Sequence, residues 1–226
     1  MRRTIRAMPA IHQGAVFALA VGAAGLLATP VKGVATWAVA DGNWSSAATW
    51  TNGVPGANDN AYVGSTFPGA AKTATVTLSQ NTSVNSLSLG NGFNTSGTLD
   101  LSGFNLSGTY LSMGSAGTGS IIRTGGGTLS VSQDLSMYSG TLALTAGDTV
   151  GRNLYAFSGN TTLATGVKVT QAVLFNGSSA ATTGPINVTN SVDVSSGSTL
   201  TLGGTLTTQD FYLDGNLNAN GQTLST

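Results

Sequence analysis

The side chains that could do chemistry are few, and most of them are aspartates. Two pairs, Asp134 with Asp210 and Asp193 with Asp214, could provide the two carboxylates that a glycosidase holds at a fixed separation. The chain has no cysteine, and its one histidine is His12. Cys–His and Ser–His–Asp nucleophiles and Cys/His zinc sites are therefore excluded after that residue. We expect no catalytic residue, no metal and no cofactor, and hence no enzymatic activity.

The positive charges are too sparse for a phosphate-binding surface. After residue 35 the chain holds four cations, Lys72, Arg123, Arg152 and Lys168, against eight aspartates, which leaves a formal net charge of −4. Binding to nucleic acid needs a basic stripe, and a polysaccharide lyase needs clustered cations beside its substrate. We therefore expect no nucleic acid partner, and the lyase reaction is disfavoured.

Aromatic rings and oxygen donors are the remaining candidates for ligand contact. Trp37, Trp44 and Trp50 lie close together in sequence, and they could stack on sugar rings or close the end of a core. Asp59 stands between two asparagines, a pattern typical of a hydrogen-bonded turn. A calcium site there stays an open alternative, although the spacing matches neither an EF-hand nor the calcium-binding nonapeptide repeat.

The N-terminal segment has the pattern of a secretory signal peptide, which we place over residues 1–35. Arg2, Arg3 and Arg6 precede an uncharged apolar run over 14–28. This run is shorter than the about 20 residues of a membrane-spanning helix. Small residues then allow cleavage after Ala35 or Ala40. The mature chain is predicted to be secreted or displayed at the cell surface, without a transmembrane segment.

The composition indicates an all-β protein. Thr (33), Ser (25) and Gly (32) make up two fifths of the chain, charged residues only 7%, and glutamate is absent. Strong helix formers are therefore scarce, which disfavours a helical bundle. With 40% hydrophobic residues the chain has enough apolar surface to fold.

Apolar anchors recur at regular spacing through the second part of the chain. The steps between the last five anchors are equal in length, the steps before them are slightly longer, and each step carries a similar surrounding pattern. A polar residue stands two positions before each of the last five anchors, where it could form a side-chain ladder or simply an exposed bend. The anchors are Leu87, Leu111, Leu135, Leu154, Val173, Val192 and Phe211.

This repeat predicts a β-solenoid with coils of about 19–24 residues. Leu/Val alternates with Ser/Thr at the period of a half-buried strand, and Gly-rich turns separate the strands. Stacked coils would bring equivalent anchors into one column along the axis. We predict a Trp-rich capping segment over 36–74 and solenoid repeats over 75–226, incomplete at the C-terminus. A β-sandwich with regular turns is the alternative fold.

Residues 36–64 carry a more specific resemblance. Gly42-Asn43-Trp44, the segment ending at Trp50, and Gly53-Val54-Pro55-Gly56 followed by Asp59 resemble the start of bacterial exported β-helix surface proteins, of the autotransporter passenger-like and PEP-CTERM types. The resemblance implies a right-handed parallel β-helix at the cell surface or in extracellular matrix. The chain departs from these families at its end, where it has neither a Pro-Glu-Pro sorting signal nor a translocator pattern. We therefore expect a fragment or a short paralogue.

The function predicted from these features is that of a structural or adhesive surface rod. Its expected partners are glycans, extracellular matrix or other surface proteins. A carbohydrate-binding or polysaccharide-active β-helix protein is the alternative. Ice binding is disfavoured. Thr-x-Thr pairs occur at 75–77, 199–201 and 205–207, but the equivalent positions in adjacent repeats are expected to read Val-Lys-Val and Ile-Asn-Val, so no regular threonine array forms.

Overall fold

The computed structural model describes residues 33–226, which form an all-β structure. The predicted signal peptide lies outside the described residues except for its last three positions. Residues 33–226 contain 24 short β-strands and no α-helix, and one 3-10 helix spans Ala47–Thr49. The first eight strands are β1 (Ala35–Trp37), β2 (Gly42–Asn43), β3 (Asn60–Ser65), β4 (Thr73–Thr77), β5 (Thr82–Asn91), β6 (Ser96–Asp100), β7 (Leu106–Met113) and β8 (Thr118–Ile122).

From residue 129 onward the coils shorten and each contains three strands. These strands are β9 (Leu129–Val131), β10 (Leu135–Met137), β11 (Gly140–Leu144), β12 (Thr149–Val150), β13 (Leu154–Ala156), β14 (Asn160–Leu163), β15 (Lys168–Val169), β16 (Ala172–Phe175), β17 (Ser179–Thr182), β18 (Ile186–Val188), β19 (Ser191–Val194), β20 (Thr199–Thr201), β21 (Leu206–Thr207), β22 (Asp210–Leu213), β23 (Asn216–Asn218) and β24 (Leu224–Ser225).

The strands stack in parallel to form a solenoid with three faces. The first face contains β9, β12, β15, β18, β21 and β24. The second contains β10, β13, β16, β19 and β22, and the long strands β5 and β7 bend across both of these faces. The second face continues through β3 to β1. The third face runs β2-β4-β6-β8-β11-β14-β17-β20-β23.

The register places the predicted anchors in one column, and the predicted β-solenoid is confirmed. Each anchor is the direct strand partner of the next, from Leu87 to Phe211. Two earlier positions, Thr36 and Ala61, extend the column to eight steps. At about 4.8 Å a step, these eight steps span about 38 Å. Stacking therefore begins in β1, upstream of the boundary predicted at residue 75.

The inward side chains form one continuous apolar core along the axis. Leu87, Leu135, Leu154 and Val192 are fully buried, and Phe211 in the last coil is partly buried. Because side chains alternate along a strand, the residues beside each anchor point outward. The axis therefore holds the aliphatic residues, and the surface keeps the hydroxyls and amides.

Glycines allow the chain to bend between the second and third faces. Gly90 has φ = 67° and Gly140 has φ = 115°, values in the left-handed region. A Cβ atom at Gly140 would lie 2.1 Å from the carbonyl oxygen of Gly119 in the neighbouring coil. Close packing of backbones at this bend therefore requires glycine.

Candidate ligand-contact surface

Two of the three tryptophans predicted to contact a ligand are interior residues of the N-terminal segment. Trp44 is 1% exposed and Trp50 is 4% exposed, and their rings meet edge to face with centroids 5.0 Å apart. The Trp50 Nε1–H donates to the carbonyl oxygen of Trp44 at 2.8 Å, and the Trp44 Nε1–H donates to that of Pro55 at 3.3 Å. Because these rings are covered by protein, a sugar cannot stack on them. Of the three tryptophans, Trp37 is therefore the one that remains a candidate for contact with a sugar.

Trp37 lies on the outer surface of the second face, in an aromatic stack. Its ring stacks on Phe67 with centroids 3.8 Å apart and on Tyr62 with centroids 5.3 Å apart. The strand pairing of β1 with β3 sets the Trp37–Tyr62 contact, because the two residues are direct partners. A turn positions Phe67, whose backbone N–H donates to the Ser65 hydroxyl at 3.2 Å.

These rings form one wall of a shallow groove of about 340 Å³, which we call the aromatic groove. Phe67 is 45% exposed, so part of its ring faces solvent. None of the residues that line the groove carries a charge. They are Trp37, Tyr62, Ser65, Thr66, Phe67, Asn91 and Gly92. Aromatic rings beside hydroxyl and amide groups suit a neutral ligand that has both apolar faces and hydroxyls.

A second aromatic stack lies four coils away on the same face. Tyr138 and Phe157 stack with centroids 4.9 Å apart, and Tyr155 lies 6.1 Å from Phe157. Burial raises the pKa of Tyr155, Asp134 adds to this, and Arg152 and a hydrogen bond with Asn153 oppose it. The pKa is raised overall, so the Tyr155 hydroxyl stays protonated at neutral pH.

Sequence reasoning missed Phe67, Tyr62 and the second stack. Phe67 lies in the turn between β3 and β4, where no repeat marks its position. Tyr62 and Tyr155 stand one position after Ala61 and Leu154 in the anchor column, so the alternation alone could have placed them on the outer surface. The stacking of the rings, however, could not be predicted from the spacing.

The candidate carboxylate pair Asp134 and Asp210 is separated by the register. The two residues precede Leu135 and Phe211, which are four coils apart. Four steps correspond to about 19 Å, well beyond the about 5–10 Å that separates glycosidase carboxylates. This pair cannot act on one glycosidic bond.

The other pair, Asp193 and Asp214, lies in consecutive coils: Asp193 is in β19, and Asp214 directly follows β22, the partner strand of β19. Burial raises the pKa of Asp193, a hydrogen bond from the Ser195 hydroxyl at 3.0 Å opposes this, and the negative charge of Asp214 raises it further. The net shift is upward. Neither carboxylate lines the aromatic groove, and neither pairs with a cation within residues 33–226.

The arginines connect coils to one another. The Arg123 guanidinium contacts buried Asp148 through Nη2, and Arg152 lies 3.8 Å from Asp134. Arg152 also donates to the Gln133 side chain at 3.0 Å. In the described chain this is the one side-chain link of the expected polar ladder, which otherwise continues through backbone hydrogen bonds such as Gln171 N–H to the Arg152 carbonyl.

Asp59 and Asp41 hold backbone amides. The Asp59 carboxylate accepts from Val34 N–H at 2.7 Å and from Gly56 N–H at 2.8 Å, and Asp41 accepts from Thr75 N–H at 2.7 Å. Both carboxylates thus fix neighbouring backbone segments through hydrogen bonds. Within residues 33–226, no three carboxylate or imidazole groups cluster in a way that could hold a metal ion.

The Thr-x-Thr pairs lie on two different faces, and of the three only the pair over 205–207 shares a face with Val-Lys-Val and Ile-Asn-Val. Val-Lys-Val and Ile-Asn-Val belong to the first face, whereas β20 lies on the third face and pairs with β17 and β23. A column of polar residue types does run along the third face, but it mixes threonine with serine and asparagine. The partnered positions are Thr75, Thr98, Ser120, Thr141, Asn160, Ser179, Thr199 and Asn216.

No protein family, curated protein or solved structure matches this chain. Among residues 33–226, no helix is long and apolar enough to cross a bilayer. The class that the geometry defines is that of a β-solenoid rod.

Proposed function

We propose that the protein is a non-enzymatic rod that acts outside the cell as a structural or adhesive element. The observation that carries the proposal is the unbroken column from Thr36 to Phe211, in which each coil supports the next. A stack of this kind holds its outer surface in fixed register over about 38 Å. Rigid presentation of a surface is what a structural or adhesive protein needs.

The chemistry of the surface supports this proposal. The outer positions are rich in hydroxyls and amides, and the strongest ion pair, between Arg123 and Asp148, is used inside the fold. Asp134 and Asp210, one of the two carboxylate pairs that could have supported hydrolysis, are held about 19 Å apart. Contact with glycans, matrix or neighbouring surface proteins fits such a surface better than catalysis does.

The export of the protein can be tested directly with an inserted epitope. An epitope inserted at Gly126 would sit in an exposed turn where a Cβ would meet nothing within 4 Å. With residues 1–226 produced in a bacterial host, we expect the tag to appear outside the cytoplasm and to be reached by antibody on intact cells. The matched control lacks residues 1–32 and should stay in the cytoplasm. Retention of the full chain in the cytoplasm would refute export.

Carbohydrate binding is a second candidate, favoured specifically by the aromatic groove. Partly exposed rings beside uncharged hydroxyl and amide groups are suited to sugar recognition. Binding of cellohexaose, maltohexaose or laminarihexaose, measured by titration calorimetry, tests this function. Loss of binding in Phe67→Ala, with Phe93→Ala as the control, would assign it to the groove. Phe93 is 82% exposed and does not line the groove.

A further inference from the structure

Each of the two aromatic stacks on the second face contributes one tyrosine to the same outward column. From β3 to β13 the direct partners are Tyr62, Ser88, Ser112, Ser136 and Tyr155. Tyr62 takes part in the Trp37 stack, and Tyr155 takes part in the Phe157 stack. The two tyrosines are four steps apart, or about 19 Å along the axis.

Small polar residues form the floor between these stacks. Ser88, Ser112 and Ser136 are half-buried, and their short side chains leave the floor lower than the rings at either end. Asn91 extends the polar lining beside them, and its side-chain oxygen accepts a hydrogen bond from the Ser115 hydroxyl at 3.1 Å. The result is a trough with an uncharged serine floor and aromatic rings at both ends, and the ion pair of Arg152 with Asp134 lies near Tyr155 at one end.

We propose that this trough binds a linear, neutral polysaccharide that lies parallel to the solenoid axis, with sugar rings against the two aromatic stacks. The proposal rests on the carbohydrate-binding candidate above and adds the class of ligand, its direction and its length. Apolar faces of sugar rings pack on aromatic rings, while the serine hydroxyls and the Asn91 amide exchange hydrogen bonds with sugar hydroxyls. A span of about 19 Å requires an extended oligosaccharide rather than a single sugar.

Two other occupants fit this surface less well. A nucleic acid or an anionic polysaccharide needs cations, and Arg152, the cation that acts on Tyr155, already lies beside the carboxylate of Asp134. A peptide that adds a strand needs a free sheet edge. The trough floor is instead a sheet face, whose strands β5, β7 and β10 are paired on both sides.

The test measures the binding of a short and a long sugar to two variants, one in the aromatic groove and one in the middle of the trough. Titration calorimetry uses cellohexaose, maltohexaose and laminarihexaose, each with its disaccharide. We expect at least one hexasaccharide to bind more tightly than its disaccharide. Phe67→Ala should weaken both lengths about fivefold. Ser112→Trp, which fills the middle of the trough, should reduce the affinity for the hexasaccharide to that for the disaccharide.

The matched control for bulk is Ser120→Trp, a half-buried outward serine in β8 on the third face. It should bind both lengths like the wild type, and circular dichroism of all variants verifies the fold. If Phe67→Ala weakens binding but Ser112→Trp does not, the ligand is confined to the aromatic groove and the trough proposal is overturned while carbohydrate binding stands. If none of the six sugars binds, both are overturned, and the structural role is still judged by surface labelling.

Discussion

Arg123 and Asp148 form an ion pair between neighbouring turns, with Nη2 and Oδ2 2.5 Å apart. Asp148 is fully buried, and its carboxylate also accepts from Leu129 N–H at 2.8 Å and Thr145 N–H at 2.7 Å. Arg123 donates a further hydrogen bond to the carbonyl oxygen of Gly127 at 2.6 Å. This pair therefore anchors the turns around β9, where coils with two strands give way to coils with three.

Removing the cation of this pair should destabilise the protein strongly. Arg123→Met leaves the Asp148 charge buried without compensation, and we expect a loss of about 3–5 kcal/mol in the free energy of unfolding. Arg152→Met is the matched control, because its pair with Asp134 is longer and more exposed, and it should change stability by less than about 1 kcal/mol. Urea unfolding measures both, and equal effects would contradict this account.

The anchor column should be the most sensitive part of the core. Leu154 is fully buried between Leu135 and Val173, so Leu154→Ala opens a cavity and should cost about 2–5 kcal/mol. Ser136→Ala, which removes an outward side chain from the neighbouring coil, should stay within about 0.5 kcal/mol. Thermal or urea unfolding compares them, and a small effect of Leu154→Ala would argue against a tightly packed axis.

The anchors could be predicted from the sequence because the coil length is nearly constant from Leu135 onward. A fixed period and a strand alternation of two residues together define which positions point inward. The first coils were harder to predict, since the steps from Thr36 to Ala61 and from Ala61 to Leu87 are longer than every later step and differ from each other.

Contacts made by turns could not be predicted in this way. Phe67 reaches Trp37 from a turn without a repeat, and Arg123 reaches Asp148 across 25 residues. The sequence also could not assign the Thr-x-Thr pairs to a face, because all three faces share the same alternation and only the full register distinguishes them.

The bend at Gly140 should tolerate no side chain. Gly140→Ala would place a methyl group 2.1 Å from the Gly119 carbonyl oxygen at a positive φ, so we expect a loss of more than about 1 kcal/mol. Gly197→Ala is the matched control, since its φ is also positive but a Cβ there meets nothing within 4 Å. Gly197→Ala should show only the cost of placing alanine at a positive φ. The difference in free energy of unfolding between the two variants, measured with urea, then gives the cost of the close contact at Gly140.

Asp100 should stabilise the fold at pH values above its ordinary pKa of 3.8. Burial acts to raise the pKa of Asp100, but hydrogen bonds from Thr124 and Ser102 outweigh it and lower the pKa overall. The stabilisation is thus present at neutral pH and is lost as the pH falls through the lowered pKa. Asp100→Asn should cost more stability at pH 7 than at pH 3, and Thr124→Val should give a smaller effect of the same sign. If Asp100→Asn lost the same free energy of unfolding at pH 7 and at pH 3, the lowered pKa of Asp100 would be contradicted.

Asp193 should show the opposite pH dependence, because burial and the charge of Asp214 raise its pKa. The folded state then binds a proton more tightly than the unfolded state, so the contribution of Asp193 to stability is present below its ordinary pKa of 3.8 and is lost as the pH rises through the raised pKa. Asp193→Asn should therefore be more stable than wild type at pH 7 and similar to it at pH 3. Asp214→Asn should reproduce part of this gain. Ser195→Ala should act in the reverse direction, since it removes the hydrogen bond that lowers the pKa of Asp193. Urea unfolding between pH 3 and pH 7 separates the three variants, and a parallel pH dependence in all of them would show that Asp193 does not titrate with folding.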